Sequence, residues 1–471
     1  MSYIYMLGIC GTGVGALAGL LKQLGHEVVG SDENVYPPMS DKLREWGIPI
    51  LNGYNIEHLS RRPDLVVVGN VIRASNPEAI FIREQGIKQM SMPAAIAEFG
   101  IGDRHSIVVA GTHGKTTVTA LIAHLLLAAG RDPSYLIGGA LIGYPESFRI
   151  TNSKFFVIEG DEYDTAYFDK GPKFVHYRPR TAIITSLEFD HADIFENIAA
   201  VEKAFGRLVQ TVPEDGHLIV WHGATRARKQ LAYAGNRHIT VYALHQQDGV
   251  NLYLKEYIDS PNGLIFTPVF NGVSLGSMNA PLWGEVSVQN VLAAIAATID
   301  AGLNRDELAH GFATFRGVKR RLELLGEPNG IAVVDDFGHH PTAVRMTLNA
   351  AKVRWPNRRL WAVFEPRSAT ARRNVLQHEY VDAFQDADMV VIASHERMNE
   401  IPYAQRFNPQ LLVQQIQKKG INARAIALVD EIANTIYKEA TRGDVIILFS
   451  NGSFGGLHIK VLSDLAARRN K

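Results

Sequence analysis

The sequence predicts an α/β protein of three domains, each built around a largely parallel β-sheet. Short apolar runs rich in β-branched residues alternate with stretches of helical spacing along most of the chain. At 471 residues the chain is also too long for a single hydrophobic core. We place the domains at residues 1–104, 105–316 and 317–471, because the alternation loosens around residues 92–105 and a basic segment at residues 315–322 is typical of a hinge.

The composition is typical of a globular protein whose positive and negative charges cancel. Hydrophobic residues make up 46% of the chain, and 48 Lys and Arg balance 48 Asp and Glu. This balance argues against nucleic acid or an anionic membrane as a partner. The single cysteine, Cys10, excludes an intrachain disulfide and fits a reducing compartment. Because a charge or a glycine interrupts every long apolar run, we expect a cytoplasmic protein without a membrane-inserted segment.

The first domain opens with a strand, a glycine-rich turn and a helix, which is the beginning of a nucleotide-binding βαβ unit of the Rossmann type. The glycines would let a pyrophosphate approach the backbone, and an acidic residue about twenty positions later would reach a ribose or a base. Such a pattern is equally compatible with tight packing of the helix on the sheet. The candidate residues for this ligand are Gly8, Cys10, Gly11, Thr12, Gly13, Ser31, Asp32 and Asn70.

The second domain begins with the most informative stretch of the sequence. A buried strand at residues 107–110 leads into a glycine-bounded turn and then into an apolar helix, which together predict a phosphate-binding site. Lys115 would contact the β- and γ-phosphates, and the Thr116 hydroxyl would ligate Mg²⁺. The turn is shorter than the general pattern, because Val109 stands where the first glycine is usual. The candidate ATP-binding residues here are Gly111, Thr112, His113, Gly114, Lys115, Thr116 and Thr117.

Two further strands of this domain end in polar side chains. Residues 155–158 lead to Glu159, and residues 181–185 lead to the loop that carries His191. Ligands of open α/β sheets bind at the carboxyl ends of the strands, so both side chains are expected beside the phosphate-binding turn as a site for a hard cation. Outside this context, a solvated carboxylate and a hydrogen-bonded loop histidine would be the ordinary interpretation. Residues 217–282 are predicted to form an antiparallel patch.

The third domain is predicted to be a third doubly wound domain, because strand-like and helical runs alternate over residues 331–468. Asp336 and His339 follow its first strand, where Asp336 would hold a ribose or a metal-bound water and His339 would orient phosphate or an incoming amine. Arg321 would swing from the hinge onto a triphosphate when this domain closes, and a solvated basic run is the alternative. Arg367 would bind a substrate carboxylate through two hydrogen bonds. The candidate acceptor-binding residues are Arg367, Ser368, Thr370 and Asn451.

In this order the motifs resemble those of the ATP-dependent Mur ligases of bacterial cell-wall synthesis, and the resemblance spans the whole chain. It implies Rossmann-like first and third domains around a P-loop-type central ATPase domain with a mixed sheet. It also implies that Thr116, Glu159 and His191 hold the metal and that Asn290 reads adenine. The residues that carry the resemblance are 8–18, 111–117, Glu159, Asp190, His191, Asn290, Arg321 and 336–341.

The resemblance implies an amide ligase that works through an acyl phosphate, with ATP and two Mg²⁺ ions, in peptidoglycan synthesis and recycling and hence in cell shape and division. Its substrates would be UDP-N-acetylmuramate, bound by the first domain, and the tripeptide L-alanyl-γ-D-glutamyl-meso-diaminopimelate, bound by the third. Free L-alanine is the alternative acceptor, although enzymes of that branch usually carry His-Arg-Tyr-Thr-Arg after the proline equivalent to Pro366. The stretches that favour the tripeptide are 30–40, 168–177, 187–195, 365–370 and 450–456.

One pair of residues departs from the family pattern. Val286 and Ser287 stand where the family usually has His-Asn, and the histidine of that pair lies against adenine. We therefore expect another aromatic or apolar side chain to contact adenine. Outside the family, residues 1–32 alone would suit an NAD-dependent oxidoreductase, and the phosphate-binding turn alone would suit a nucleotide-switch or motor ATPase. Neither alternative accounts for both features.

Overall fold

The computed structural model describes residues 1–394 and 396–468 of the chain. Three α/β bodies follow one another, each with its own largely parallel sheet, so the predicted fold class is confirmed. Each apolar strand run is buried between helices on both faces of its sheet, as expected for parallel strands. Within the described ranges, every helix is too short or too polar to cross a membrane.

The first body is a five-stranded parallel sheet with strand order β3-β2-β1-β4-β5. Most of the loosened pattern at residues 92–105 is helical in the structure, because α4 continues directly into a π-helical turn at Ile96–Ile101. The elements are β1 (Tyr3–Leu7), α1 (Thr12–Gln23), β2 (Glu27–Asp32), α2 (Met39–Glu45), β3 (Ile50–Asn52), β4 (Leu65–Val68), α3 (Pro77–Glu84), β5 (Gln89–Ser91) and α4 (Met92–Ala95).

The second body contains a long mixed sheet, in which a parallel core β14-β13-β12-β6-β9-β7 is extended by antiparallel strands at both edges. Its elements are β6 (His105–Ala110), α5 (Lys115–Ala128), β7 (Ser134–Leu136), β8 (Phe148–Arg149), β9 (Phe155–Gly160), β10 (Asp164–Ala166), β11 (Asp169–Pro172), β12 (Thr181–Ile184), α6 (Ile198–Thr211), β13 (His217–Trp221), α7 (Thr225–Lys229), β14 (His238–Tyr242), β15 (Leu252–Ser260), β16 (Gly263–Phe270), β17 (Val273–Ser274), β18 (Met278–Ala280), α8 (Glu285–Asp300) and α9 (Arg305–Thr314).

The predicted antiparallel patch at residues 217–282 is wrong for its first two strands. β13 and β14 pair in parallel with each other and with β12, and the short helix α7 makes the crossover between them. The connection is compact and rich in polar residues, so its sequence is typical of a turn. The antiparallel arrangement is confirmed from β15 onward, where β15 and β16 form a long hairpin.

The third body is a six-stranded sheet of order β19-β20-β24-β21-β22-β23, parallel except for the edge strand β19. All the helices and strands predicted over residues 331–468 are present. The elements are β19 (Glu323–Gly326), β20 (Ala332–Asp336), α10 (Pro341–Arg354), β21 (Leu360–Phe364), α11 (Gln377–Ala383), β22 (Met389–Ala393), α12 (Pro409–Lys418), β23 (Asn422–Ile426), α13 (Val429–Glu439), β24 (Val445–Phe449) and α14 (Leu457–Ala467).

The bodies are joined in two different ways. The first and second share a hydrophobic core, in which the Phe148 ring packs edge-on against Trp46 at 5.0 Å and covers Gly19 of α1. The third is connected by the segment at residues 315–322, where the Lys319 N–H donates to the Ala140 carbonyl at 2.8 Å. This segment lies between the carboxyl ends of the second and third sheets, and the polar strand ends therefore meet there.

Candidate active site

The phosphate-binding turn between β6 and α5 is closely fitted to its surroundings. Gly111 has φ 131° and Gly114 has φ 79°, which only glycine adopts without strain. A Cβ at Gly111 would lie 2.2 Å from Thr185 Oγ1, and one at Gly114 would lie 2.7 Å from Asn290 Oδ1. The His113 N–H donates to Ser186 Oγ at 2.9 Å. The turn is therefore held by the loop after β12, and the N-terminus of α5 points into the crevice.

A buried carboxylate joins Lys115 of this turn to His191 of the loop after β12. Glu162 is 3% exposed, and its two oxygens lie 3.0 Å from Lys115 Nζ and 3.2 Å from His191 Nε2. Burial works to lower the pKa values of both cationic groups, but the Glu162 carboxylate and its acidic neighbour Asp161 outweigh burial and raise them. The raised pKa values favour the charged forms of Lys115 and His191. Glu162 was not among the predicted site residues.

The hinge arginine reaches the phosphate-binding turn. Arg321 Nη2 donates to Thr116 Oγ1 at 2.8 Å, and the Thr116 hydroxyl is hydrogen-bonded to Glu159. Glu159 also accepts from the Gly138 N–H at 2.7 Å, and burial raises its pKa. The structure thus brings Lys115, Thr116, Glu159, His191 and Arg321 together at one crevice.

The motif after β20 positions the hinge as well as the site. Asp336 is buried and accepts from the N–H groups of Leu322 and Gly338, each at 2.8 Å, and burial raises its pKa. His339 Nε2 lies 3.9 Å from Asp190 Oδ2, and burial lowers the His339 pKa. Asp336 therefore fixes the hinge, and His339 faces the second body across the crevice.

A second unpredicted carboxylate, Glu188, connects the second body to the third. Its Oε2 accepts from Thr342 Oγ1 at 2.8 Å and lies 3.4 Å from His113 Nε2 and 3.8 Å from His340 Nδ1. Burial alone would raise the pKa of Glu188, but the contacts with His113 and Thr342 lower it to about 2. Glu188 belongs to the strand-end loop that the sequence singled out, yet only the fold places it opposite α10.

A cavity of about 540 Å³ opens beside the turn, between the start of α8 and the face of α10. Gly114, Thr117 and Asn290 line it on the side of the turn, and Asp336 lines it on the side of the third body. Val286 lies in its wall together with the aromatic side chain of Trp283. Trp283, three residues before Val286, is therefore an aromatic side chain in the position to replace the missing histidine.

The glycine-rich turn of the first body is ordered by two buried carboxylates. Asp32 accepts from the Cys10 N–H and the Asn34 N–H, each at 2.8 Å, and Ser31 Oγ donates to Glu78 at 2.6 Å. Glu78 is fully buried and was not predicted. Gly8 takes φ 82° at the start of the turn, and Gly11 precedes α1, whose first residues are Thr12 and Gly13. Asn70 follows β4, the strand that pairs with β1.

The four predicted acceptor-binding residues separate into two pairs. The Ser368 hydroxyl accepts from the Ala371 N–H at 3.0 Å, and Thr370 Oγ1 accepts from the Ala192 N–H at 3.1 Å, so both hydroxyls already have protein partners. The Arg367 guanidinium lies flat over Gly452, where a Cβ would be 2.1 Å from Nη1. Asn451 Oδ1 is buried without a hydrogen-bond partner among the described residues. Over the described part of the chain, Arg367 and Asn451 are therefore the pair without a side-chain hydrogen bond to the protein.

The oxygen-rich donor set of this crevice fits Mg²⁺. Donor atoms of Asp161, Glu162 and His191 lie within 4.8 Å of one another, and Thr116 and Glu159 offer a hydroxyl and a carboxylate beside them. Mg²⁺ prefers oxygen ligands and is usually shared with substrate phosphates, as the adjacent phosphate-binding turn allows.

Comparison with known proteins agrees with this architecture along the whole chain. Residues 3–103 match the model described as "Mur ligase family, catalytic domain", residues 109–298 match "Mur ligase middle domain", and residues 320–452 match "Mur ligase, glutamate ligase domain". The chain is 39% identical to the UDP-N-acetylmuramate–L-alanyl-gamma-D-glutamyl-meso-2,6-diaminoheptandioate ligase of Escherichia coli K12, over 99% of this chain and 98% of the relative.

Two further comparisons are informative. The chain is 31% identical to the UDP-N-acetylmuramate–L-alanine ligase of Desulfitobacterium hafniense, over 96% of this chain and 97% of the relative. It superposes on the crystal structure of a murein peptide ligase from Psychrobacter arcticus 273-4 with a TM-score of 0.76 and 34% identity, over 100% of both chains. The fold and the site define an ATP-dependent ligase. The chain belongs to the Mur ligase family.

Proposed function

We propose that this protein joins UDP-N-acetylmuramate to L-alanyl-γ-D-glutamyl-meso-diaminopimelate in the cytoplasm, with ATP cleaved to ADP and phosphate. The observation that carries the proposal is the meeting of strand ends of the second and third bodies at one phosphate-binding turn, with Arg321 of the hinge hydrogen-bonded to Thr116 at 2.8 Å. The full-length similarity to a relative named for this reaction supports the choice of acceptor.

In the first step, an oxygen of the lactyl carboxylate attacks the γ-phosphorus, the bond to the β–γ bridging oxygen breaks, and ADP leaves. Both reactants are anions, so catalysis requires neutralisation and alignment of charge. Lys115 would exchange its contact with Glu162 for the phosphates, and Arg321 would exchange Thr116 for the γ-phosphate. When bound, Mg²⁺ supplies further positive charge, and we assign one ion to Thr116 and Glu159 and a second to His191 with its neighbouring carboxylates.

The nucleotide would occupy the cavity beside the turn. Asn290 lies against Gly114 and can read the edge of adenine, while Trp283 offers the aromatic face that Val286 lacks. Asp336 borders the same cavity, although its carboxylate already accepts two backbone N–H groups. We therefore assign Asp336 mainly to holding the hinge, with the ribose hydroxyls within its reach as the second partner.

In the second step, the tripeptide amine attacks the carbonyl carbon of the acyl phosphate, the bond to the phosphate oxygen breaks, and the amine loses a proton. Burial lowers the pKa of His339, which is therefore neutral near pH 7 and suited to accept that proton. Contacts of the third body with the second, such as Thr342 to Glu188, close the crevice and exclude the water that would hydrolyse the acyl phosphate.

The two remaining substrates have separate places. The uridine diphosphate would bind at the glycine-rich turn of the first body. Asp32 orders this turn, and the N-terminus of α1 that follows it would supply backbone N–H groups to the pyrophosphate. The peptide would bind at the carboxyl edge of the third sheet. Arg367 and Asn451 supply a cation and an amide oxygen there for the distal carboxylate and amine of diaminopimelate.

A comparison of acceptors tests the proposal. Purified protein with UDP-N-acetylmuramate, ATP and Mg²⁺ should release ADP rapidly with the tripeptide and only slowly with free L-alanine at the same concentration. Mass spectrometry should detect the UDP-N-acetylmuramoyl-tripeptide as the product. A preference for free L-alanine would overturn the acceptor assignment and establish the alternative branch.

A further inference from the structure

The wall of the nucleotide cavity contains an arginine held between two indoles. The Arg354 guanidinium carbon lies 4.1 Å from the Trp283 ring centroid and 4.3 Å from that of Trp355. Trp283 precedes α8 of the second body, whereas Arg354 and Trp355 stand at the end of α10 in the third. We call Trp283, Arg354 and Trp355 the arginine sandwich, and it connects the second body to the third.

The arginine sandwich also holds the hinge. Arg354 Nη1 donates to the Leu322 carbonyl at 2.7 Å, and the Leu322 N–H donates to Asp336 at 2.8 Å. Leu322 has φ 48°, a left-handed conformation that is strained for a leucine and persists only where its surroundings impose it. Both peptide groups of Leu322 are thus fixed from outside the hinge, and the residue before it is Arg321.

Among the residues that the structure describes, no carboxylate neutralises the charge of Arg354. Within the described ranges it forms no ion pair, and burial lowers its pKa to about 10, so it remains protonated near pH 7. Two indole faces and one carbonyl are its partners, and Arg354 and Trp283 both line the cavity beside Asn290. Because the two indoles cover both faces of the guanidinium, Arg354 offers a purine its N–H edge, which can donate to a ring nitrogen, while Trp283 offers the aromatic surface.

We propose that Arg354 is a positioning residue that couples purine binding in the cavity to the placement of Arg321. A purine against Trp283 fixes the arginine sandwich, the sandwich fixes the Leu322 carbonyl, and the hinge then presents Arg321 to the γ-phosphate. The inference rests on the proposed function for the identity of the nucleotide. It adds a specific physical connection between the adenine end of ATP and the arginine at its phosphate end.

The test compares Arg354→Met, Arg354→Lys and the control Lys352→Met. Lys352 is on the same helix, half-exposed, and pairs with Asp386 away from the cavity. Arg354→Met should lower kcat/KM for ATP by about tenfold or more, with KM for UDP-N-acetylmuramate within about twofold of wild type. Arg354→Lys should retain part of the kcat/KM that Arg354→Met loses, because an ammonium group can still donate to the Leu322 carbonyl and lie over the Trp283 ring. Lys352→Met should match wild type.

A second measurement separates positioning from a loss of fold. With a non-hydrolysable ATP analogue bound, Arg354→Met should show faster amide hydrogen exchange at residues 320–323 and unchanged exchange in strand β20. Equal kcat/KM for ATP in wild type and Arg354→Met, or an equal loss in Lys352→Met, would overturn the proposal. If wild type forms no UDP-N-acetylmuramoyl-tripeptide, the proposed function fails, and weaker binding of the analogue by Arg354→Met still decides the role of Arg354.

Discussion

Replacing Gly114 with alanine tests how the phosphate-binding turn depends on its fit to Asn290. The left-handed backbone of Gly114 at φ 79° costs an alanine about 1–2 kcal/mol. In addition, the new Cβ would lie 2.7 Å from Asn290 Oδ1, closer than any relaxed contact, so the turn or Asn290 has to move. Because a displacement of about 1 Å at a catalytic site costs up to about a hundredfold in rate, we expect kcat/KM for ATP to fall by about ten- to a hundredfold.

Gly130 provides a matched control at the opposite end of α5. It has φ 69°, and nothing lies within 4 Å of a Cβ added there. Gly130→Ala therefore carries the same backbone cost without disturbing the turn, and its kcat/KM for ATP should stay within about twofold of wild type. ADP release would be measured with the other two substrates saturating. Equal kcat/KM values in the Gly114 and Gly130 variants would refute the steric argument.

Two further substitutions examine the charged groups of the site. Arg321→Lys keeps the positive charge but loses the planar guanidinium that reaches Thr116, so kcat should fall by about a hundredfold. The control Lys319→Met, on the exposed side of the hinge, should retain normal turnover. Glu162→Gln should lower the melting temperature of the metal-free protein more near pH 6 than near pH 9. Because folding raises the pKa of His191, its protonation stabilises the folded protein. This contribution is fully present at pH values below about 6.5, the ordinary pKa of histidine, and is lost as the pH rises through the raised pKa.

Each of these expectations has a contradicting result. Turnover of Arg321→Lys close to that of wild type would remove the arginine from the phosphate-transfer step. A Glu162→Gln protein whose loss in melting temperature is the same at both pH values, or is larger at the alkaline one, would show that Glu162 does not hold the charge of His191.

The phosphate-binding turn was predictable because its residues are contiguous. Strand, turn and helix follow one another over residues 105–128, and the requirement for glycine at positions 111 and 114 is local. The third body was predictable for the same reason, since its strands and helices alternate with regular apolar runs. Parallel pairing of β13 and β14 was missed, because a short crossover is indistinguishable from a turn until the neighbouring strand is known.

The glycine-rich turn of the first body shows the limit of what a sequence motif alone can predict. Its sequence was compatible with both ligand binding and close packing, and the structure assigns different glycines to each. Gly13 and Gly15 face the sulfur atoms of Met92 and Met39, where a Cβ would lie at 2.9 and 2.3 Å, whereas Gly8 makes the left-handed turn that opens the crevice. The pattern contains no information about which side chains approach from elsewhere in the chain.

The residues that sequence reasoning missed act across long separations. Glu188 meets Thr342, and Trp283 meets Arg354, only because the second and third bodies face each other. Their chemistry is ordinary when they are considered singly, and no spacing in the sequence connects them. Glu162 was closer to prediction, since it lies three residues after Glu159 at the same strand end, but its contact with both Lys115 and His191 depends on the fold.

The most direct measurement follows oxygen during one turnover. UDP-N-acetylmuramate labelled with ¹⁸O in its lactyl carboxylate would be incubated with the tripeptide, ATP, Mg²⁺ and the protein, and the quenched mixture would be analysed by mass spectrometry. An acyl phosphate formed at the Lys115 turn predicts UDP-N-acetylmuramoyl-tripeptide together with one labelled oxygen in inorganic phosphate. Ligation with unlabelled phosphate, or ATP cleavage without the amide product, would contradict the account.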